Sequence, residues 1–334
     1  MSRFYTLTRS ILATIVGCSV AWVSNAAAED ATQFPSRNIT LIVPFGAGGP
    51  PDSIARVVAA GLSENLGKPV IVENRPGAST GIAANAVARA APDGHTLMAV
   101  DISFAVTPHI ASNLGVDPFK DFKPVGLSAK SVFTLLASPA LHAPTLADFL
   151  NLAKAKGEDI EIGHTGVGTT PHLAAVTFIK AAGIAPLLVP YRTVSEATNN
   201  VIAGHISAVF SAASTAIGLA GQNKVNILGV TGTKRLGSLP DTPTFQENGI
   251  KMVGFEGGSW YGIVAPASTP DPIVAKLNAA LAKTVRNENM KQKLMAAGIE
   301  LSSSTPEEFG AFIHTQYTYW GETLRAAGIK PEPK

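Results

Sequence analysis

Five segments rich in Gly, Ser and Thr stand where a predicted strand hands over to a predicted helix: residues 46–52 (GAGGPPD), 76–81 (PGASTG), 163–172 (GHTGVGTTPH), 191–195 (YRTVS) and 211–215 (SAAST). Small residues let main-chain N–H groups come close to a ligand, and a helix starting there leaves its first N–H groups unpaired at the positive end of its dipole. That chemistry suits the grip of a carboxylate. The helix end contributes about 0.3–1 kcal/mol, and each hydrogen bond to a charged group roughly 1.5–3 kcal/mol. Three or four such bonds reach about −8 kcal/mol, micromolar binding, after the cost of association. No cationic side chain is required. Taken singly, each segment also reads as a plain turn.

Few side chains add to this. His164 and His172 flank the third of these segments, one as a possible ligand contact and the other, beside Pro171, as a structural residue at a helix start. Asp52 reads as support for the first turn of its helix, with a cationic group on the ligand as the other reading. Arg75 reads as the partner of Glu73, while Arg192 divides evenly between bidentate carboxylate capture and solvent. Phe45, Phe104, Tyr191 and Trp260 sit at strand ends or turns, as core or as ligand platform. There is no GxGxxG after a strand and no HExxH. The stretch 61–68 has five residues between its glycines and is followed by Pro69, where a phosphate loop needs Ser or Thr. The seven histidines show no metal-ligand spacing. No catalytic residue, metal or cofactor is expected.

These segments need elements to hold them. Apolar runs predict strands at 39–43, 70–72 and 96–100, with helices between them carrying Ile54, Val57, Val58, Leu62 and Leu66, then Ile82, Ala83, Ala86 and Val87. That is βαβαβ, the pattern of a parallel sheet with right-handed crossovers. A second series runs from 132 to 230: strands at 132–137, 160–162, 187–189, 206–210 and 225–230, with helices between. Thr145 and Asp148 form a capping pair. The last third adds a strand at 261–264, helices at 272–285 and 288–297, and a long helix opened by Thr305-Pro306-Glu307-Glu308. The fold class is α/β, two lobes with a ligand cleft between them.

Composition narrows the function. Apolar residues make up 46% of the 334, which excludes a disordered chain. Charged residues are 15% and the formal net charge is +2, so there is no electrostatic footprint for nucleic acid. Arg3 and Arg9, an uncharged stretch from Ile11 to Val23 and Ala26-Ala27-Ala28 compose a secretory signal peptide, residues 1–28, with cleavage before Glu29. The apolar stretch is too short for the roughly 20 residues of a membrane helix. A lipid anchor at Cys18 is the weaker reading. Removing the leader removes Cys18, the one cysteine, and leaves basic and acidic residues in balance, with no disulfide or thiolate chemistry. A periplasmic location is expected.

The motifs RNITLIVPFGAGGPPDSIAR, VIVENRPGAS, ARAAPDGHTL and VPYR, the Pro240-Asp241-Thr242-Pro243-Thr244 turn and SWYGIVAPASTP resemble those of the Bug family, the periplasmic solute receptors of tripartite tricarboxylate transporters. The similarity runs over residues 34–328 in matching order. It implies a periplasmic-binding-protein fold of type II, with 29–131 and 254–334 as the first lobe, 132–253 as the second, a hinge crossed twice and a C-terminal helix packed on the first lobe. It implies a small organic acid as ligand, a dicarboxylate or an aromatic acid, often held through waters. It also implies two integral membrane transporter subunits as partners, a monomeric receptor and no enzymatic activity. The candidate ligand-binding set is Phe45, Gly46, Ala47, Gly48, Gly49, Asp52, Ala78, Ser79, Asp101, Ser103, His164, Thr165, Gly166, Gly168, Thr169, Tyr191, Arg192 and Ser214. Three of these depart from the family pattern: His164 stands where Ser is common, Arg192 where Lys is, and Asp101 where a small polar residue is. Asp101 would be unfavourable beside a bound anion unless it meets a donor. The alternatives are a ligand-sensing adaptor for a membrane sensor kinase and an enzyme on the same architecture.

Overall fold

The computed structural model of the chain describes residues 32–255, 258–329 and 331. The leader at 1–28, its cleavage site and Cys18 lie outside them. The chain opens with β1 (Ile39–Val43), α1 (Pro50–Leu66), β2 (Val70–Asn74), α2 (Gly81–Ala88), β3 (Thr96–Asp101), α3 (Ile102–Ile110) and β4 (Phe122–Ser131). Then come β5 (Phe133–Ala137), α4 (Leu146–Lys156), β6 (Glu161–His164), α5 (Thr170–Ala182), β7 (Leu187–Pro190), α6 (Val194–Ala203), β8 (Ala208–Ala212), α7 (Ala213–Leu219) and β9 (Asn226–Val230). The chain returns through β10 (Ser259–Pro266), α8 (Asp271–Val285), α9 (Glu288–Met295), β11 (Ile299–Leu301) and α10 (Pro306–Ala326).

Two sheets result. The first has the order β11-β4-β10-β3-β1-β2, and the second the order β7-β6-β8-β5-β9. β1, β2 and β3 pair in parallel, as the βαβαβ pattern predicts. Next to them the pattern breaks: β10 lies antiparallel to β3 and to β4, and β11 antiparallel to β4. In the second sheet β6 is parallel to β7 and β8, while β5 is antiparallel to β8 and β9. Both sheets are therefore mixed.

Sequence patterning finds neither β4, α3 nor β11. β4 reads FKPVGLSAKS, with Pro124 inside it. Proline is tolerated there because the pairing with β10 shifts register beside Val264↔Pro124, and because β11 covers only Ala129 to Ser131. α3 carries Pro108 in its last turn. Local capping chemistry is more legible. Thr145 with Asp148 and Thr305 with Glu308 both form reciprocal capping boxes, and Gly67 closes α1 in the left-handed conformation.

The chain crosses between sheets at two adjacent points. β4 ends at Ser131 and β5 begins at Phe133, and on the return Ser259 pairs with Ser131. The strands there touch backbone to backbone: a Cβ on Gly258, which has φ 76°, would lie 2.1 Å from the Ser131 carbonyl oxygen. Only glycine fits. α10 packs on β4 and α3, over buried Trp260, Phe309 and Trp320. Gln316 Oε1 accepts both indole N–H groups, from Trp260 at 3.2 Å and from Trp320 at 3.0 Å.

Candidate functional site

Parallel strands bring their C-terminal ends to one edge. In the first sheet β1, β2 and β3 end at Val43, Asn74 and Asp101, so the loops at 44–49 and 75–80 and the start of α3 open off that edge. α1 begins Pro50-Pro51, so its first two positions have no N–H to offer. The donors therefore come from the glycine loop before it, which is exposed at Gly46, Ala47 and Gly48.

One of those donors is already in use. Gly48 N–H donates to Asp52 Oδ2 at 2.9 Å, and Arg56 Nε donates to the same oxygen at 3.0 Å. Asn74 Nδ2 donates to Asp52 Oδ1 at 2.9 Å and to the Phe45 carbonyl at 3.0 Å, while Arg56 reaches Asn74 Oδ1 at 3.0 Å. Asp52 is only 3% exposed. The Arg56 hydrogen bonds, then those from Gly48 and Asn74, outweigh burial and hold its carboxyl at about 2, below the ordinary 3.8. Asp52 thus ties both ends of the loop to α1 and β2. Asn74 completes that knot; sequence reasoning passed over it, although a polar residue ending an apolar strand beside a Gly-rich loop was the available signal.

The second loop is wound the wrong way for L-residues. Ala78, Ser79 and Thr80 have φ of 47°, 50° and 74° in succession. Such backbone costs of order 1–3 kcal/mol per residue and concentrates at functional sites. Ala78 and Ser79 are exposed just ahead of α2, whose Thr80 cap makes no side-chain bond. At the third junction Asp101 caps α3, accepting Ser103 N–H at 2.9 Å and the Ser103 hydroxyl. Burial pushes its carboxyl up to about 6, against those Ser103 bonds. Its cross-strand partner is Tyr261, whose phenol burial and the Asp101 charge keep neutral.

In the second sheet β6, β7 and β8 run parallel and end at His164, Pro190 and Ala212, which places the loops at 165–169 and 191–193 and the start of α7 on one edge. Here two imidazoles organise the loop. His164 Nδ1 accepts Gly166 N–H at 3.1 Å, and His172 Nδ1 accepts Gly168 N–H at 3.3 Å, with the rings 4.8 Å apart. The Thr169 hydroxyl donates to the Gly166 carbonyl at 2.8 Å, and that of Thr165 to Thr169 Oγ1 at 3.2 Å. Two main-chain donors, at Gly166 and Gly168, are therefore spent inside the loop and not open to a ligand. Tyr191 N–H donates to the His164 carbonyl at 2.8 Å and its side chain is half-buried, while Arg192 and Ser214 are exposed.

Both histidines are neutral. Burial lowers both, and His164 adds to the lowering of His172, which falls to about 4. A base with a folded value below its unfolded 6.5 binds fewer protons folded than unfolded between those limits, so stability declines as pH falls through that window. Wild-type protein is expected to lose on the order of 2 kcal/mol between pH 7 and pH 4.5 from His172, read as a denaturant midpoint. His172→Asn should flatten that part of the profile, and an unchanged slope would place the effect elsewhere.

The two edges meet. The crossings leave β4 and enter β5 at the same ends that carry the loops, since Asp101 pairs with Tyr261 and Phe133 pairs with Ala212. Gly168 lies against α3: a Cβ there would sit 2.3 Å from Ile110 Cδ1 and 3.2 Å from Val106 Cγ1. Each rim also shows an aliphatic side chain, Ile82 on the first turn of α2 at 51% exposure and Val167 between the loop glycines at 52%. Arg75, by contrast, is paired with Glu73 at 2.7 Å.

A groove of about 640 Å³ lies at the far end of the first sheet, between Phe104, Phe122, Val274 and Pro306. It is remote from the five loops, because Phe122 pairs with Pro266 at the end of β10 opposite to Ser259. Among the described residues no group of three His, Cys, Asp or Glu side chains could hold a metal, and no helix is long and apolar enough to cross a membrane.

A family model described as "Tripartite tricarboxylate transporter family receptor" matches residues 54–329. Among solved structures, periplasmic binding protein BugD is 30% identical and superposes with a TM-score of 0.77, over 90% of this chain and 100% of that one. Rpa4515 of R. palustris, solved with adipate, is 29% identical with a TM-score of 0.80, over 90% and 100%. MatC from Rhodopseudomonas palustris, with bound malate, is 29% identical with a TM-score of 0.73, over 87% and 100%. The fold is that of the periplasmic binding proteins, two α/β lobes with the loop-bearing edges of their sheets turned together.

Proposed function

The chain belongs to the tripartite tricarboxylate transporter receptor family, and from that premise we propose that it captures a small organic carboxylate in the periplasm and delivers it to two integral membrane subunits of a secondary transporter. The lobes are residues 29–131 with 254–334, and 132–253, and they close on the ligand. Binding, not catalysis, is the task. The observation that carries this reading is the gathering of Gly-rich loops and helix starts from both sheets at the crossing point. Main-chain N–H groups at Gly46, Ala47 and Gly49 and at Thr165 and Val167 are the donors this reading assigns to the ligand, and closure excludes water and strengthens each bond to a carboxylate. The exposed Ile82 and Val167 favour an acid with a hydrocarbon body. Adipate and malate in the related structures are dicarboxylates, in keeping with this.

Thermal denaturation with aliphatic and aromatic acids tests the reading. A ligand at a hundred times its Kd adds about 2.7 kcal/mol of stability, so adipate, malate or a related acid should raise the Tm while the matching diol does not. No stabilisation by any acid would overturn it. The same reading assigns to Arg192, exposed just past β7, the bidentate grip of one carboxylate. Arg192→Ala is expected to weaken binding of the stabilising acid at least about tenfold, since a charged hydrogen bond is worth roughly 1.5–3 kcal/mol. An unchanged affinity in calorimetric titration would assign the guanidinium to solvent.

A further inference from the structure

Asp101 is a buried acid at the end of β3 with no cation beside it among the described residues. It is 5% exposed, and its environment among the described residues is burial and the two Ser103 donors. From β10 it faces Tyr261, a neutral phenol; from β4, Ser128, whose hydroxyl donates to the Tyr261 carbonyl at 3.0 Å. From the first loop and α1 it faces Phe45, Pro51 and Ile54, which help to close a space of about 10 Å³ beneath the loop. The other ionisable groups of the site are turned elsewhere. Asp52 is bound to Arg56 and Asn74, and His164 and His172 on the opposite lobe are neutral.

A ligand carboxylate drawn to the Gly46–Gly49 loop and to the start of α3 arrives beside this acid. Two carboxylates sharing a water-poor site cannot both stay ionised; one retains a proton. We propose that Asp101 takes up one proton from solvent as the cleft takes its ligand, and in that form donates its O–H to the ligand's carboxylate. Asp101 is then a specificity-determining residue: it admits a carboxylate together with a proton and disfavours one without. This rests on the carboxylate-receptor reading above. The geometry removes the objection to an acid in an anion site, because the acid becomes the donor. Burial already holds Asp101 at about 6, against an ordinary 3.8, so a modest further push by the ligand neutralises it at pH 7. The sign follows. Where the bound state holds a proton that the free state lacks, raising the pH weakens binding.

Calorimetric titration of the full protein with adipate and with malate, in buffers of different ionisation enthalpy, tests this. At pH 7.5 binding should consume a large fraction of one proton, and affinity should fall about tenfold or more between pH 6 and pH 8. Asp101→Asn keeps an acceptor for Ser103 N–H, and should bind with no proton uptake and a flat pH profile. Ser103→Ala, which removes a bond to the ionised form, should shift the wild-type profile to higher pH, and it serves if the Asn variant fails to fold. Binding without proton uptake in wild type, or uptake that persists in Asp101→Asn, overturns the proposal and leaves the receptor reading standing. No binding of any carboxylate overturns both.

Discussion

Asp52→Ala should lower stability by about 3 kcal/mol and weaken carboxylate binding about a hundredfold. The buried carboxylate accepts from Gly48, Arg56 and Asn74, and its loss leaves those donors unpaired around a cavity. Breaking a buried ion pair by removing one member costs roughly 3–5 kcal/mol, and the half-exposed Arg56 places this case at the lower end. The binding loss has a separate origin. Without Asp52 the loop after β1 is no longer held at Gly48, and donors that must converge on one carboxylate lose their common aim. Denaturant unfolding and calorimetric titration read the two effects. Acid adds a third reading. A group held at about 2 when folded, against 3.8 unfolded, contributes stability above pH 4 that is lost as pH falls towards 2. Asp52→Asn should lack that decline. Wild-type affinity in the Ala variant would show that the loop keeps its shape by other means.

The second large effect lies far from the cleft. Gln316→Leu is expected to cost about 2–6 kcal/mol, because it strands two indole N–H groups at once. Each buried donor left without an acceptor costs roughly 1–3 kcal/mol. Trp260 is on β10 and Trp320 on α10, so a single amide oxygen pins the C-terminal helix to the strand that returns from the second lobe. A Tm lowered by several degrees with unchanged ligand affinity is the expected pattern. Gln316→Glu, which keeps an acceptor, should recover part of the loss. Equal stability of the Leu variant would show that both indoles find other partners.

Much of the local structure is legible in order along the chain. Thr145 with Asp148 and Thr305 with Glu308 announce helix starts, Gly67 announces a stop, and ITLIV announces a strand buried on both faces. Each signal acts through hydrogen bonds or sterics within a few residues. β4 is silent for the opposite reason: FKPVGLSAKS becomes a central strand only because β10 and β11 supply its partners from more than a hundred residues away. The antiparallel half of each sheet shares that dependence.

The candidate site divides the same way. By itself the sequence determined that small, flexible, donor-rich loops follow its strands, and with them the class of ligand they suit, because main-chain N–H groups need only glycine and a helix start. Tertiary structure decided which donors remain for a ligand and which are used at home. Asp52 takes Gly48, and the two histidines take Gly166 and Gly168. It also placed Asp101 opposite Tyr261, with no counter-charge among the described residues. Burial and the company a charge keeps depend on how separate segments pack, and it is packing that turns the same aspartate residue type into a fixed anion at 52 and a proton acceptor at 101.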